Sequence, residues 1–265
     1  MDAYDMYMKN FDAEAAKNSV VSWIRSKMND FGSKSKCVIG ISGGKDSSVV
    51  AALCVAAIGR DRVYGVMMPN GNQPDIGFAE ELIATLGIHN YLCNILIPCR
   101  EITRVVELNM DRVSETARIN MPARMRMLTL YMVAQTLGNA YVVNTCNLSE
   151  DWVGYSTWHG DSAGDFSPLA HFTSDEVVAI GDACGLPRHL THKTPSDGLC
   201  GKTDEDNLGF TYRALNKYLR LNSIDKETKA HIDMLHLKNK FKLQPLDSYQ
   251  FWPWDFQVFD KEENS

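Results

Sequence analysis

Six consecutive residues, Ser42-Gly43-Gly44-Lys45-Asp46-Ser47, hold the most concentrated chemistry in the chain. Two adjacent glycines let a backbone turn tightly and come close to a ligand. The free N–H groups of such a turn, and of a helix it opens, converge on an anion. Ser42, Ser47 and Ser48 add hydroxyl donors, and Lys45 adds a positive charge. Asp46 is a poor phosphate ligand but a good magnesium ligand. Neither the Walker A spacing nor the dinucleotide fingerprint is present. The chemistry indicated is polyphosphate binding. The plainer alternative is an exposed strand-to-helix turn capped by Asp46.

The flanking residues predict the elements that would position this loop. Residues 37–41 are a compact apolar run that reads as a buried strand, and residues 46–58 read as a helix rich in Ala and Val. Further strands are predicted over residues 63–68, 91–97 and 140–145. Helices are predicted over residues 20–31, 75–86, 175–184 and 211–221. The stretch 99–137 is mostly helical, with a break expected around Asn120-Met121-Pro122. Alternating strands and helices imply an α/β fold: a Rossmann-like parallel sheet with helices on both faces. Ligands of such sheets bind beyond the carboxyl ends of the strands, just after Ile41, Met68 and Val143. No repeat or linker interrupts the pattern, so one domain is expected over residues 1–265, with a core of about 20–220 and a C-terminal tail from about 221.

Composition narrows the function. Lys plus Arg number 27 and Asp plus Glu 33, a net charge of −6. That lacks the basic footprint of a protein that grips nucleic acid by its phosphates. The longest apolar run, residues 49–58, is about half of what a bilayer-spanning helix needs. The acidic N-terminus does not resemble a signal peptide. Seven cysteines with no Cys-x-x-Cys read as reduced thiols in a cytoplasmic protein. His159, His171, His189 and His192 show no metal-ligand spacing.

The Ser-Gly-Gly-x-Asp-Ser loop resembles that of the N-type ATP pyrophosphatases, the PP-loop superfamily, which cleave ATP between its α- and β-phosphates and adenylate a substrate oxygen. Three further stretches are similar to ammonia-dependent NAD synthetases within it. They are Asn120-Met121-Pro122-Ala123-Arg124-Met125-Arg126-Met127; Thr145 through Glu150 to Gly160-Asp161-Ser162-Ala163-Gly164-Asp165; and Lys193-Thr194-Pro195-Ser196 with Thr203-Asp204-Glu205 and Leu208-Gly209-Phe210-Thr211-Tyr212. The resemblance implies an adenine nucleotide alpha hydrolase-like fold and amidation of deamido-NAD by ammonia, through an adenylate, with release of pyrophosphate and AMP. It implies ATP as co-substrate, Mg2+, and a homodimer with no nucleic-acid or membrane partner. It places Gly40, Ile41, Ser42, Gly43, Gly44, Lys45, Asp46 and Ser47 along the ATP phosphates, with Gln73, Thr145 and Ser196 as further ATP contacts. Asp46 and Glu150 become magnesium ligands, Arg124 and Asp165 deamido-NAD contacts, and Asp161 an acid near the ammonia channel. Asp46, Lys45 and Asp161 are the expected catalytic residues.

The chain also departs from the family pattern. Trp158 and Ser174 stand where many relatives carry lysines used on deamido-NAD and ATP, and Met67 stands where some have arginine. The usual C-terminal His-Lys pair is not in register; Lys240-Phe241-Lys242 is the nearest match. Lys193, Lys202 or Lys242 would then supply the missing charge, and Trp158 could stack on a base or nicotinate ring. Residues 193–209, with Gly198, Gly201 and Gly209, read as a lid that excludes water. The aromatic segment 249–254 would pack on its own or a second subunit. The chain length leaves no room for a fused glutaminase, so free ammonia, or ammonia delivered by a separate glutaminase, is the expected donor. Alternatives are a GMP-synthetase-like amidotransferase, a tRNA-modifying enzyme, and a non-catalytic nucleotide-binding regulator.

Overall fold

The computed structural model describes residues 1–192 and 204–245. Two helices, α1 (Ala3–Asn10) and α2 (Ala13–Asp30), precede β1 (Lys36–Gly40). Then come α3 (Lys45–Ile58), β2 (Val63–Met67), α4 (Ile76–Leu86), β3 (His89–Leu92), α5 (Leu96–Glu107), α6 (Glu115–Leu137) and β4 (Ala140–Val142). After β4 the described chain is helical: α7 (Leu148–Val153), α8 (Ser174–Ala183), α9 (Arg188–Thr191), α10 (Asp204–Leu208), α11 (Tyr212–Leu221) and α12 (Lys226–Asn239).

The sheet is parallel throughout, in the order β3-β2-β1-β4, with Val38 paired to Tyr64 on one side and Val142 on the other. A parallel bridge from Val143 to Phe166 extends it by one short step. Val38 and Ile39 of β1 are fully buried on opposite faces. This is why the strand reads as a continuous apolar run rather than an alternation. Helices α2, α3 and α8 pack together over one face and enclose the larger core, around Ile24, Ile39, Leu53 and Ile180. Helices α5 and α6 cover the other face around Val38, Val66, Ile95 and Ala134. The apolar run 49–58 is α3, buried on nearly all sides between the sheet and its neighbours. Among the described residues no helix is long and apolar enough to cross a membrane.

The α/β parallel architecture expected from the sequence is present, and several local expectations need correction. The third strand is β3 (His89–Leu92), and residues from Leu96 already belong to α5. All four β3 residues are exposed at the sheet edge, so no apolar alternation marks them. The helical break falls at residues 108–114, before Ser114 caps α6 by accepting from Ala117 N–H, while Pro122 lies inside α6. Pro122 is buried within the helix, which continues through it despite the missing backbone N–H. Residues 204–208, expected as loop, form α10. Residues 193–203 of the expected lid, Lys202 among them, and the aromatic segment 249–254 lie outside the described residues. The six described cysteines are free thiols.

A third, smaller cluster secures the C-terminal helices. Val153 of α7 packs with Leu208, Tyr212, Leu215 and Ile232 from α10, α11 and α12. His236 of α12 stacks on Trp152 at 4.0 Å and bonds its carbonyl through Nδ1 at 2.8 Å. These contacts hold α7, and therefore Glu150, against the end of the sheet.

Candidate active site

The chain leaves β1 at Gly40 and enters the loop, whose Gly43 has φ of +77°. A Cβ on Gly43 would lie 2.8 Å from Phe78 Cβ and 3.0 Å from Ala79 N, so α4 packs directly against the turn. Both the backbone conformation and the space demand glycine. Gly43→Ala is expected to lower the melting temperature by several degrees and weaken ATP binding at least tenfold, measured by thermal unfolding and calorimetry.

Inside the turn, Ser42 Oγ accepts from Gly44 N–H at 3.2 Å and lies 3.1 Å from Ser47 Oγ. Ser48 Oγ donates to Gly44 O at 2.8 Å. Gly44 is the N-cap of α3 and offers no side chain, so the first-turn amides face outward without a side-chain cap.

Three carboxylates surround Lys45. Its ammonium, nearly fully buried, donates to Asp46 Oδ2 at 2.8 Å. Burial pulls its pKa down, but Asp46, Glu150 and Asp204 more than offset this and leave it raised. Asp46 Oδ1 accepts from Asn147 Nδ2 at 2.9 Å. Asn147 in turn caps α7 by accepting from Ser149 and Glu150 N–H, a link that carries the β4 end to the loop. Glu150 has its carboxyl pushed well above the ordinary range, first by desolvation and then by Asp46, with Lys45 opposing. Asp204 accepts from Tyr155 OH at 3.3 Å and Tyr212 OH at 3.4 Å. Desolvation and the three carboxylates push the Tyr212 phenol far up, so it stays a hydrogen donor. Asp204 is the functional candidate that sequence reasoning missed. It stood inside a quoted motif, but its approach to Lys45 is a tertiary contact.

A second group lies beside the first, with Cys146 close to both Glu150 and Asp161. Asn144, just beyond β4, donates to Asp161 O at 3.0 Å and Ala163 O at 3.2 Å. Gly164 passes so close that a Cβ there would meet Asn144 Cβ at 2.7 Å. Asp161 Oδ1 accepts from Thr157 N–H at 2.7 Å, and desolvation raises its carboxyl. Asp151, on α7, is pushed up to about 6 by desolvation and then by Asp161. Lys242 donates to Gly154 O at 2.7 Å and Ser156 O at 2.8 Å, pinning the loop that carries Trp158. Trp158 stacks on His159 at 4.2 Å and meets Phe241 edge-on at 5.1 Å. Arg124 Nε donates to Trp158 O at 3.4 Å.

The structure thus gathers the phosphate loop with Lys45, Asp46 and Glu150, and brings Arg124, Trp158, Asp161 and Lys242 to a neighbouring rim. Thr145 follows Asn144 in the chain beyond β4 and is half-buried. Asp165 is turned partly inward: its Oδ2 accepts from Val142 N–H at 2.7 Å, completing the β4 end. Gln73 donates to Asp75 Oδ1 at 3.0 Å within its own loop. Ser196 and Lys193 lie outside the described residues. Ser174, which the resemblance sets at a position of a family lysine, joins a closed buried triangle. Asn216 donates to Ser174 Oγ at 3.0 Å, Ser149 Oγ donates to Asn216 Oδ1 at 2.6 Å, and Ser174 N–H donates to Ser149 Oγ at 3.0 Å. No charge remains at that position.

Hard oxygen donors facing a polyphosphate loop suit magnesium, which is usually held by one or two carboxylates together with substrate phosphates. Asp46 and Glu150 supply such a pair, and their mutual repulsion is what a cation would relieve. Among the described residues no three His, Cys, Asp or Glu side chains are grouped to hold a metal by themselves.

Sheet order and loop define a nucleotide-binding protein of the Rossmann-like PP-loop class. The sequence profile of the NAD synthase family matches residues 16–245, and the chain belongs to that family. It is 34% identical over 244 residues to the NH(3)-dependent NAD(+) synthetase of Methanocaldococcus jannaschii, covering 84% of this chain and 89% of that one. Among solved structures, NMN synthetase from Francisella tularensis superposes with a TM-score of 0.84 at 29% identity, over 91% of this chain and all of that one. The NH3-dependent NAD synthetase of Campylobacter jejuni gives 0.72 at 26% identity with the same coverage.

Proposed function

We infer that the protein is an ATP-consuming ligase that converts the nicotinate carboxylate of deamido-NAD to the amide, with ammonia as nitrogen donor. The observation that carries this reading is the convergence of the phosphate loop, Lys45, Asp46 and Glu150 beyond the carboxyl end of β1, in a chain of the NAD synthase family. The family match favours it over the GMP-synthetase-like alternative.

The carboxylate attacks the α-phosphate of ATP and displaces pyrophosphate, leaving an acyl adenylate. Ammonia then attacks the activated acyl carbon, the C–N bond forms, and AMP leaves. The amides at the start of α3 and Lys45 offset charge on the phosphates. Asp46 and Glu150 would hold Mg2+, which supplies Lewis-acid stabilisation of the departing pyrophosphate when bound. In this reading Asp161 takes a proton from the attacking nitrogen, and Arg124, Asp165, Trp158 and Lys242 position the dinucleotide. Gln73, Thr145 and Ser196 complete the ATP contacts in this reading. Reduced thiols and an ammonia donor suit a cytoplasmic setting.

The likeness to an NMN synthetase favours a second reading of the same chemistry, in which the acceptor is the deamidated mononucleotide. Parallel turnover of both acceptors with ATP and ammonium, followed by chromatography of the products, separates them. A specificity constant at least tenfold higher for one names the substrate. Release of pyrophosphate with neither would leave a non-catalytic regulator as the better account.

A homodimer is the assembly this reading expects, and an exposed apolar face among the described residues supports it. Leu92 at the β3 edge and Leu128 and Met132 on α6 are exposed, and a cleft of about 460 Å³ runs between Tyr91, Cys93, Leu128 and Met132. Such a patch fits a second copy of the chain. The wild type is expected to sediment at twice the chain mass and Met132→Asp at the chain mass. A wild-type monomer at micromolar concentration would contradict the pairing.

A further inference from the structure

Arg126 has no assigned task in the reaction, yet it occupies a position where an arginine can do chemistry. Three contacts fix its place along α6. At the C-terminal end of the helix, Leu137 O accepts from Lys36 Nζ at the start of β1 at 2.9 Å. One and a half to two turns back, Leu130 reaches the end of β1: a Cβ on Gly40 would lie 3.5 Å from its Cδ1. About one further turn back, Arg126 Nε donates to Met68 O at 3.1 Å, where the chain has just left β2. The helix therefore runs antiparallel to the strands and carries Arg126 past their carboxyl ends, into the zone where ligands of such sheets bind.

The side chain is poorly compensated there. A guanidinium has five N–H donors. Arg126 commits Nε to Met68 O and makes no other hydrogen bond and no ion pair among the described residues. It is partly buried, and desolvation lowers its pKa, with Cys99 and Asp161 opposing. Asp161 is the carboxylate that opposes this shift, yet it forms no ion pair with Arg126. The other α6 arginine in the motif, Arg124, is exposed and turned to the Trp158 carbonyl. Holding a guanidinium partly out of water without a carboxylate is costly unless an anion arrives to meet it. The two free Nη groups form a planar fork of the geometry that carboxylates and phosphates fill in pairs.

We propose that Arg126 is a substrate-binding residue whose fork, aimed by its bond to Met68 O, grips an anionic oxygen of the reacting pair. The oxygen belongs either to the α-phosphate of ATP or to the carboxylate that attacks it. The assignment rests on the ligase reading above. A contact with either oxygen would tighten as the two approach, because the negative charge they bring together is what the fork neutralises.

Two variants test it. Arg126→Gln removes the charge and the fork, and Arg126→Lys keeps a charge that can still reach Met68 O but not the fork. Melting temperature, calorimetric binding of α,β-methylene-ATP with Mg2+, and separate binding of deamido-NAD are measured for both and for wild type. Arg126→Gln is expected to melt within a few degrees of wild type and to bind one ligand at least tenfold more weakly, with Arg126→Lys between. Loss confined to the ATP analogue assigns the α-phosphate, and loss confined to deamido-NAD assigns the carboxylate. Unchanged binding of both ligands by both variants overturns the proposal. So does weakened binding of both ligands in proportion to a fall in melting temperature, which would make Arg126 a structural tie to β2. The binding arms need no turnover. Absence of NAD formation by wild type would therefore sink the ligase reading without deciding the arginine.

Discussion

Asp46→Asn is expected to lower pyrophosphate release about a thousandfold while leaving the protein folded. The substitution keeps the shape of the side chain and can still accept from Asn147 Nδ2, so the link between α7 and the phosphate loop survives. What it removes is the charge that faces both Lys45 and the proposed magnesium. Lys45, nearly fully buried, keeps Glu150 and Asp204 as counter-charges, so a large loss of stability is not expected. The measurement is steady-state pyrophosphate release across a magnesium series. Loss that persists at saturating magnesium fits a ligand needed in the transition state; activity within tenfold of wild type would remove Asp46 from the machinery.

Glu150→Gln is expected to separate function from stability. Activity should fall at least a hundredfold, and the metal-free protein should become more stable at neutral pH. The sign follows from the carboxyl, raised from 4.5 to about 8 in the folded state, mainly by desolvation and by Asp46. Below the ordinary carboxylate range both folded and unfolded chains hold the proton, and Glu150 imposes no penalty. Between those two values the folded chain binds a proton that the unfolded chain does not, so stability falls as pH rises through that window. Glutamine carries no such penalty. In EDTA the variant should therefore melt a few degrees higher than wild type at pH 8, with the gap closing towards pH 5. Adding magnesium should raise the wild-type melting temperature and leave the variant unmoved. A variant that melts lower in EDTA at every pH would contradict this account of Glu150.

How much of this was legible in the sequence differs by element. The strand β1, the helix α3 and the glycine stop at Gly87 follow from local rules: a buried apolar run, a long Ala-Val helix and a left-handed C-cap. The edge strand β3 was displaced because exposed polar residues such as His89 and Asn90 owe their conformation to pairing with β2, which no local pattern records. Pro122 suggested a break that tertiary packing overrode, while the actual break uses the polar stretch before Ser114. Helix α1 was missed because its anchors are distant: Tyr4 OH donates to Asp175 at 2.8 Å and Tyr7 OH to Glu176 at 2.5 Å.

The site divides in the same way. The loop residues announce themselves by type and spacing. Their partners do not, because Asp46 and Asn147 stand 101 positions apart and meet only through the order of the strands. Asp204 and Arg126 were visible as letters within motifs, but their roles depend on where α10 and α6 deliver them. The acidic net charge of −6 is reconciled with anionic substrates in the same terms, since Lys45 and the α6 arginines make the positive field local.

The most direct test is the reaction itself. The purified protein, incubated with ATP, Mg2+, ammonium and deamido-NAD, should form NAD, AMP and pyrophosphate in equal amounts, with no product when ammonium or ATP is left out. Pyrophosphate formed without amide, or no product with either deamidated acceptor, would contradict the assignment of this site to carboxylate amidation.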